Sequence, residues 1–165
     1  MTADEIKRRL SLEPLLPEGG YFRETYRCDE GADRACLPAR YGGPRAFSTA
    51  IYFLLTDDTR SRLHRLSSDE IFHFLLSSPV TMLQLHPDGR AETITLGVDL
   101  TAGQQPQVVV PRGTWQGGLL VKGGDWALMG VTVAPGFDYA DYEDGDGEAL
   151  ARQFPDAAGM IGKLT

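Results

Sequence analysis

Short runs of apolar and β-branched residues recur along most of the chain, separated by Gly, Pro, Ser and Asp residues. Such a pattern predicts short strands joined by tight turns. Between residues 47 and 134 the predicted strands are 47–56, 62–66, 70–76, 80–86, 91–96, 107–110, 115–121 and 126–134. An earlier strand is predicted over 21–28. A series of short strands at regular spacing is typical of a mainly β sandwich or barrel.

Turn residues and the apolar pattern predict how the strands pair. The sequence PDG at 87–89 is a tight turn between two predicted strands, so neighbouring runs are expected to form antiparallel hairpins. The strand 70–76 is apolar on both alternating faces, with Phe74 and Leu76 on one face and Leu75 on the other. Such a strand is expected to be covered on both sides.

The start of the chain has the pattern of a short helix. Thr2 and Glu5 have the spacing of a capping box, and Ile6 and Leu10 follow at helical spacing. These residues predict a helix over 2–12.

The length of 165 residues favours one domain. We expect the helix 2–12 to precede a barrel over about 18–143. A C-terminal tail over 144–165 follows, with a short helix expected at 147–154.

Composition excludes several classes of partner. Sixteen Lys and Arg face 23 Asp and Glu, a formal net charge of −7 that repels phosphate backbones and anionic membranes. We therefore expect neither nucleic acid nor a membrane as a partner, and no apolar run reaches the ~20 residues of a spanning helix. The first residues lack the basic and apolar regions of a signal peptide. This predicts a cytoplasmic protein in which Cys28 and Cys36 stay reduced.

The candidate chemistry lies in a cluster of His64, Glu70 and His73, residue types suited to acid–base or metal chemistry. The alternative is that these side chains are hydrogen-bonded structural groups. Glu70 and His73 are an odd number of residues apart on one predicted strand and point to opposite faces, so at most one of them shares an interior with His64. His86, just before the turn at 87–89, is expected to be a solvated residue at a strand end.

Five separate blocks of sequence carry a family resemblance. They are PEGGYFRETYR (17–27), STAIYFLL (48–55), HRLSSDEIFHF (64–74), PRGTWQ (111–116) and VAPGFD (133–138). In this order they resemble the family called cupin five and span about residues 14–143. The resemblance implies a double-stranded β-helix, the cupin jelly roll, related to cupins of the sugar-nucleotide epimerase type. The expected fold class is therefore mainly β, a cupin jelly roll with short N- and C-terminal helices.

The resemblance also bears on metal binding. Cupins of the general superfamily hold one metal ion with three histidines and a glutamate, and here His64 and Glu70 match the first histidine and the glutamate. Leu66 and Gln116 stand at the two other histidine positions. One imidazole, one carboxylate and one amide make a poor transition-metal site, so no cofactor is expected. The alternative is a divalent metal at His64, Glu70 and Gln116, completed by water or His73.

Without a metal, the resemblance to the epimerases implies a histidine base, an acidic partner and a tyrosine. His64 is the expected base, oriented by Glu70 or Asp69, and we assign His64 and Glu70 as catalytic. The acid stays open among Tyr21, Tyr26, Tyr52, Tyr139 and Tyr142. The expected ligand-binding residues are Arg23, Arg62, Gln116 and Tyr52.

Three functions stay open from the sequence. The first is a metal-independent isomerase or epimerase that acts on a sugar-like or other small polar substrate. The second is a metal-dependent cupin enzyme, an oxygenase or isomerase, and the third is a non-catalytic small-molecule binding protein. A homodimer is expected because the strands 21–28 and 70–76 would suit a symmetric contact between sheets.

Overall fold

The computed structural model describes residues 1–165. Its strands are β1 (Glu13–Pro14), β2 (Tyr21–Arg27), β3 (Gly31–Ala32), β4 (Arg45–Ala46), β5 (Thr49–Thr56), β6 (Ser61–Arg65), β7 (Asp69–Ser77), β8 (Val80–Leu85), β9 (Ala91–Leu96), β10 (Gln107–Val110), β11 (Trp115–Leu120), β12 (Trp126–Ala134) and β13 (Glu143–Asp144). Its α-helices are α1 (Ala3–Leu10), α2 (Gly147–Gln153) and α3 (Ala158–Leu164). Its 3-10 helices are Arg34–Cys36, Leu100–Ala102, Tyr139–Asp141 and Pro155–Ala157. None of the helices has the length and apolar character needed to cross a membrane.

Two antiparallel sheets form the barrel. The six-stranded sheet has the order β1-β2-β5-β12-β7-β10, and the five-stranded sheet has the order β13-β6-β11-β8-β9. The strands predicted at 91–96, 107–110 and 126–134 have the observed bounds, because each alternating run ends at a Gly, Pro or Asp turn. The predicted fold class, a mainly β jelly roll with short terminal helices, is confirmed.

Most consecutive strands cross from one sheet to the other. β5 and β7 belong to the six-stranded sheet, whereas β6 and β8 belong to the five-stranded sheet. Among the strands predicted from residue 47 onward, only β8 and β9 form a hairpin, across the predicted turn. The expectation of hairpins between the other neighbours is wrong, because crossing between the sheets lets both of them bury an inner face against the same core.

Three apolar clusters hold these layers together. Fourteen buried residues fill the space between the sheets, among them Phe53, Phe72 and Met129. The capped helix α1 inserts Ile6 against Leu54 on the outer face of the six-stranded sheet. Helices α2 and α3 cover the outer face of the five-stranded sheet with a second cluster of seven buried residues. The tail therefore contains a second α-helix and a 3-10 helix, Pro155–Ala157, in addition to the predicted one.

A β-bulge changes the expected faces of β7. The register with β12 shifts so that Phe74 pairs with Met129 while Leu76 pairs with Leu128. The extra residue puts Leu75 and Leu76 on the same outer face, where they are 42% and 44% exposed. The expectation that Leu76 shares a face with Phe74 is wrong, and within one chain this strand is covered on its inner face alone.

Candidate functional site

A cavity of about 410 Å³ lies on the inner face of the six-stranded sheet. Ten of its 17 lining residues are hydrophobic. The apolar lining residues are Leu15, Phe22, Ile51, Phe53, Leu66, Phe72, Val131, Val133, Phe137 and Tyr139. The polar ones are Glu18, Glu24, Arg27, Thr49, His64, Glu70 and Asp138. This combination of apolar walls and a few polar groups is typical of small-molecule sites.

His64 lies on the floor of this cavity and is 1% exposed. A bulge in β6, where Gln116 pairs with His64 but Gly118 pairs with Ser61, turns both His64 and Ser61 toward the interior. The imidazole Nδ1 donates to the carbonyl oxygen of Arg62 at 2.8 Å. Nε2 is therefore the acceptor of the neutral ring, and it receives the side-chain amide of Gln116 at 2.9 Å.

Glu70 is the first residue of β7 whose side chain faces the interior, and it is 5% exposed. Its Oε2 accepts the same Gln116 amide at 3.2 Å. Burial raises the pKa of Glu70 to about 7, because the charge of His64 and the amide of Gln116 only partly offset the loss of water. Gln116 thus joins the two predicted catalytic residues, which share one interior as the sequence predicts but do not touch each other directly.

Glu18 is a site residue that the sequence analysis did not identify. Its Oε1 accepts from the Ser61 hydroxyl at 2.8 Å, and its Oε2 lies 3.8 Å from His64 Nε2. The turn that carries Glu18 is held because the Arg62 backbone N–H donates to the Glu18 carbonyl. The adjacent Gly20 has φ +71°, and a Cβ there would lie 2.8 Å from the Leu54 carbonyl oxygen. In the sequence, the feature that could have indicated this turn is the pair of glycines at 19–20, in the first sequence block.

The neighbouring carboxylates govern the protonation of His64. Burial opposes the charged imidazole, but the carboxylates of Glu18 and Glu70 and the Arg62 carbonyl outweigh it and raise the pKa of His64. The ring is also stacked on Tyr142, with centroids 5.0 Å apart. The Arg62 carbonyl and the Tyr142 ring thus fix the orientation of the imidazole. The sequence analysis expected Glu70 in this role.

None of the four predicted ligand-binding residues lines the cavity, and Gln116 is connected to it only through its hydrogen bonds to His64 and Glu70. Arg23 and Tyr52 pair across β2 and β5, with the guanidinium 5.6 Å from the ring, and neither lines the cavity. Their neighbours Phe22 and Ile51 line it instead, so strand alternation directs Arg23 and Tyr52 to the outer face. Arg62 also does not line it, and the buried Nε of its guanidinium has no hydrogen-bond partner.

The other histidines lie outside the cavity. His73 is on the outer face beside Gln107, as strand alternation predicts. His86 is 7% exposed and its Nε2 lies 2.7 Å from Glu92. The expectation of a solvated His86 is wrong, because the β8–β9 hairpin places Glu92 beside it.

Two of the five candidate tyrosines are near the site. Tyr139 lines the cavity, whereas the Tyr142 hydroxyl donates to Asp144 at 2.8 Å. Burial and this hydrogen bond raise the pKa of Tyr142, which makes it a weak proton donor. Tyr142 therefore acts as a support for the His64 ring.

The donor set does not fit a nitrogen-rich metal centre. Leu66 is buried and lines the cavity where the superfamily motif has a second histidine. At the third histidine position Gln116 offers an amide in place of a ring nitrogen, and this amide donates to His64 Nε2. No group of three or more His, Cys, Asp or Glu side chains in residues 1–165 is arranged to hold a metal ion. We derive no metal-dependent step from this arrangement.

Comparison with known proteins agrees with this architecture. Residues 4–144 match the family model described as Cupin superfamily (DUF985). An uncharacterized protein of Saccharomyces cerevisiae, YML079W, is 31% identical over 134 residues, which are 76% of this chain and 66% of that protein. The chain thus spans slightly less than two thirds of this relative's length.

Solved structures show the same fold. The protein SO0799 from Shewanella oneidensis is 34% identical with a TM-score of 0.87, and the match covers 100% of this chain and 98% of SO0799. An oxalate decarboxylase of Bacillus subtilis is 16% identical with a TM-score of 0.55, over 94% of this chain and 38% of the enzyme. The enzyme therefore shares the fold alone. With a family model that covers most of its length, the chain belongs to the DUF985 family of the cupin superfamily.

Proposed function

We propose that the cavity binds a small carbonyl compound and that His64 and Glu70 transfer protons to and from it, in a metal-independent isomerisation or epimerisation. The observation that carries this proposal is the pair itself. Glu70, with its pKa raised to about 7, is joined through Gln116 to the buried His64 on one cavity floor. An imidazole and a carboxyl group whose pKa is raised to about 7 are suited to general acid–base catalysis.

In the proposed reaction, the substrate displaces the Gln116 amide from His64 Nε2. This nitrogen then removes a proton from the carbon next to the carbonyl while protonated Glu70 donates its proton to the carbonyl oxygen. The product of this step is a neutral enol, and the floor is left with an imidazolium and a carboxylate. Delivery of a proton from solvent to the opposite face of the same carbon, with return of the enol proton to Glu70 and release of the imidazolium proton, gives the epimer. In a substrate with a hydroxyl next to the carbonyl, return of the imidazolium proton to the former carbonyl carbon, with loss of that hydroxyl proton to Glu70, gives the isomer. Glu18, 3.8 Å from His64 Nε2, would stabilise the imidazolium formed in the first step.

Exchange of carbon-bound hydrogen with solvent tests this proposal. The protein would be incubated in D₂O with a panel of aldoses, ketoses and amino- or aryl-substituted ketones, and loss of the proton signal next to the carbonyl would be followed by NMR. We expect exchange on at least one compound, a loss of about 10²-fold or more in H64Q and E70Q, and unchanged exchange in H73Q on the outer face. A ligand that binds the cavity without any exchange would instead favour a binding protein without turnover.

We also propose that the protein is a homodimer that pairs through the outer face of the six-stranded sheet. Helix α1 covers only part of this face, and Leu75, Leu76 and Val109 are left 42%, 44% and 52% exposed on neighbouring strands. Sedimentation should give a dimer for the natural chain and a monomer for L75D, with L100D, at an exposed apolar site elsewhere, as the control. A monomer in the natural chain at micromolar concentration would contradict this assembly.

A further inference from the structure

The charges of the cavity lining are unbalanced. Its acidic side chains are Glu18, Glu24, Glu70 and Asp138, and its one guanidinium is that of Arg27. The Arg27 guanidinium already has protein partners. Its Nε and Nη2 donate to Glu24 at 3.0 and 2.7 Å, and its Nη1 and Nη2 donate to the Phe137 carbonyl oxygen, each at 3.3 Å. No guanidinium or ammonium group is therefore left to bind an anion inside the cavity, and the remaining basic side chain, His64, faces the carboxylates of Glu18 and Glu70.

The floor holds carboxylate oxygens that no protein donor uses. Glu18 Oε1 accepts from Ser61, but its Oε2 comes no closer to His64 than 3.8 Å, beyond hydrogen-bond distance. Glu70 Oε2 accepts from Gln116, and no hydrogen bond of the protein reaches its Oε1. Two acceptors with formal or potential negative charge thus face the cavity without a partner. Such groups are costly to bury unless a donor binds them.

The walls above this floor are apolar and largely aromatic. The rings of Phe22, Phe53, Phe72 and Phe137 line the cavity together with aliphatic side chains. These walls offer few partners for the hydroxyls of a free sugar, whose burial without hydrogen bonds is unfavourable. They fit a hydrocarbon or aromatic body, and aromatic faces also attract a cation.

We propose that the cavity selects amines: the ligand carries a protonated nitrogen bound at the Glu18 carboxylate, beside Glu70, and an apolar body packed on the phenylalanine walls. An ammonium group supplies up to three donors to the unused carboxylate oxygens and neutralises part of their charge. A phosphate or carboxylate at the same place would meet the acids with no free guanidinium or ammonium group to offset them. The inference rests on the proposed function only in taking this cavity as the substrate site.

Three ligands of one skeleton test the selection. Binding of 4-phenylbutylamine, 4-phenylbutan-1-ol and 4-phenylbutyrate would be measured by calorimetry at pH 7.5 on the full chain. We expect the amine to bind on the order of tenfold more tightly than the alcohol and the carboxylate to show no measurable binding. Equal affinity for amine and alcohol, or binding of the carboxylate at least as tight as that of the alcohol, would overturn the inference.

Matched variants locate the effect. E18Q keeps the acceptor for Ser61 but removes the charge, and it should reduce the amine-to-alcohol preference to about threefold or less. E148Q makes the same change of net charge on the exposed helix α2 and should leave the preference intact. If E18Q fails to fold, as judged by circular dichroism, E70Q serves as the second variant. An amine preference that persists in the folded variant would also overturn the inference.

The outcomes separate this inference from the proposed function. Amine binding that depends on Glu18, with no deuterium exchange on any carbonyl compound, would defeat the proposed proton transfer and leave amine selection standing. Deuterium exchange on neutral ketones, together with no preference for amines in binding, would support the proposed proton transfer and overturn amine selection.

Discussion

The side-chain amide of Gln116 donates to His64 Nε2 at 2.9 Å, at the position where the superfamily motif has a metal-binding histidine. The same amide donates to Glu70 at 3.2 Å. The sequence position that holds a metal-binding histidine in the superfamily motif is therefore occupied here by a glutamine that links an imidazole to a carboxylate. Loss of this donor would leave two buried atoms, His64 Nε2 and Glu70 Oε2, without a partner.

The first prediction concerns this link. Q116L should lower the free energy of unfolding by about 1–3 kcal/mol, because His64 and Glu70 each lose a buried hydrogen bond. Urea denaturation at neutral pH measures the change. The matched control is Q107L, because Gln107 also contacts a histidine, His73, but at the protein surface. That variant should change stability by about 0.5 kcal/mol or less, and equal effects of the two substitutions would contradict the buried bridge.

The second prediction concerns pH. Glu70 has a pKa of about 7 in the folded chain against an ordinary value of 4.5, so the folded state binds more protons between these values. Stability should therefore fall as pH rises from about 4.5 to about 7, by an amount on the order of 3 kcal/mol. The raised pKa of His64 acts in the same direction, since the stability it contributes is lost as pH rises through its folded value.

Urea midpoints between pH 5 and pH 8 check this dependence. E70Q should flatten the profile, whereas E148Q on the surface should keep it. The carboxyls of Asp58, Glu92 and Asp99 have lowered pKa values, and the stability they contribute is lost only as pH falls below about 4. Stability that rises or stays level from pH 5 to pH 8 in the natural chain would be inconsistent with a buried protonated Glu70.

The third prediction concerns the turn that carries Glu18. G20A should destabilise the fold by about 3 kcal/mol or more, because φ is +71° and the added Cβ would meet the Leu54 carbonyl and the Phe53 ring. The control is G89A, where φ is +90° but nothing lies within 4 Å of the added carbon. That variant should cost only the backbone strain, about 1–2 kcal/mol. Thermal and urea unfolding measure both, and equal losses would show that close packing at Gly20 contributes nothing.

The fourth prediction concerns a buried ion pair beside Asp138 and Tyr139, which line the cavity. Arg45 donates through Nε and Nη2 to Asp141, both at 2.7 Å, and the side chains are 4% and 5% exposed. This pair anchors the 3-10 helix Tyr139–Asp141. R45M should cost about 3–5 kcal/mol, because it leaves the Asp141 charge buried without a partner.

The exposed pair of Arg152 and Glu148 is the matched control, with side chains 72% and 90% exposed. R152M should change stability by less than about 1 kcal/mol. D141N combined with R45M should recover part of the loss, since it removes the unpaired charge. A full additive loss in the double variant would contradict the assignment of the effect to that charge.

The local sequence determined the strands and the alternation along them. The run from 126 to 134 has its predicted bounds in the structure, and Glu70 and His73 fall on opposite faces of β7 as their spacing requires. Apolar alternation and turn residues act between near neighbours, so they can be seen in the chain itself. The placement of His64 and Glu70 in one interior followed from the family resemblance, and the fold reproduces it.

Only the tertiary structure decided which face of each strand meets the cavity. Arg23 and Tyr52 follow the alternation of their strands but lie on the outer face. The bulge in β7 turns Leu76 away from the core. Glu18 reaches His64 from a turn that is distant in sequence, and Glu92 covers His86 through the facing strand. The physical reason is that parity along a strand is a local property, whereas burial depends on how the sheets close and where an extra residue enters the ladder.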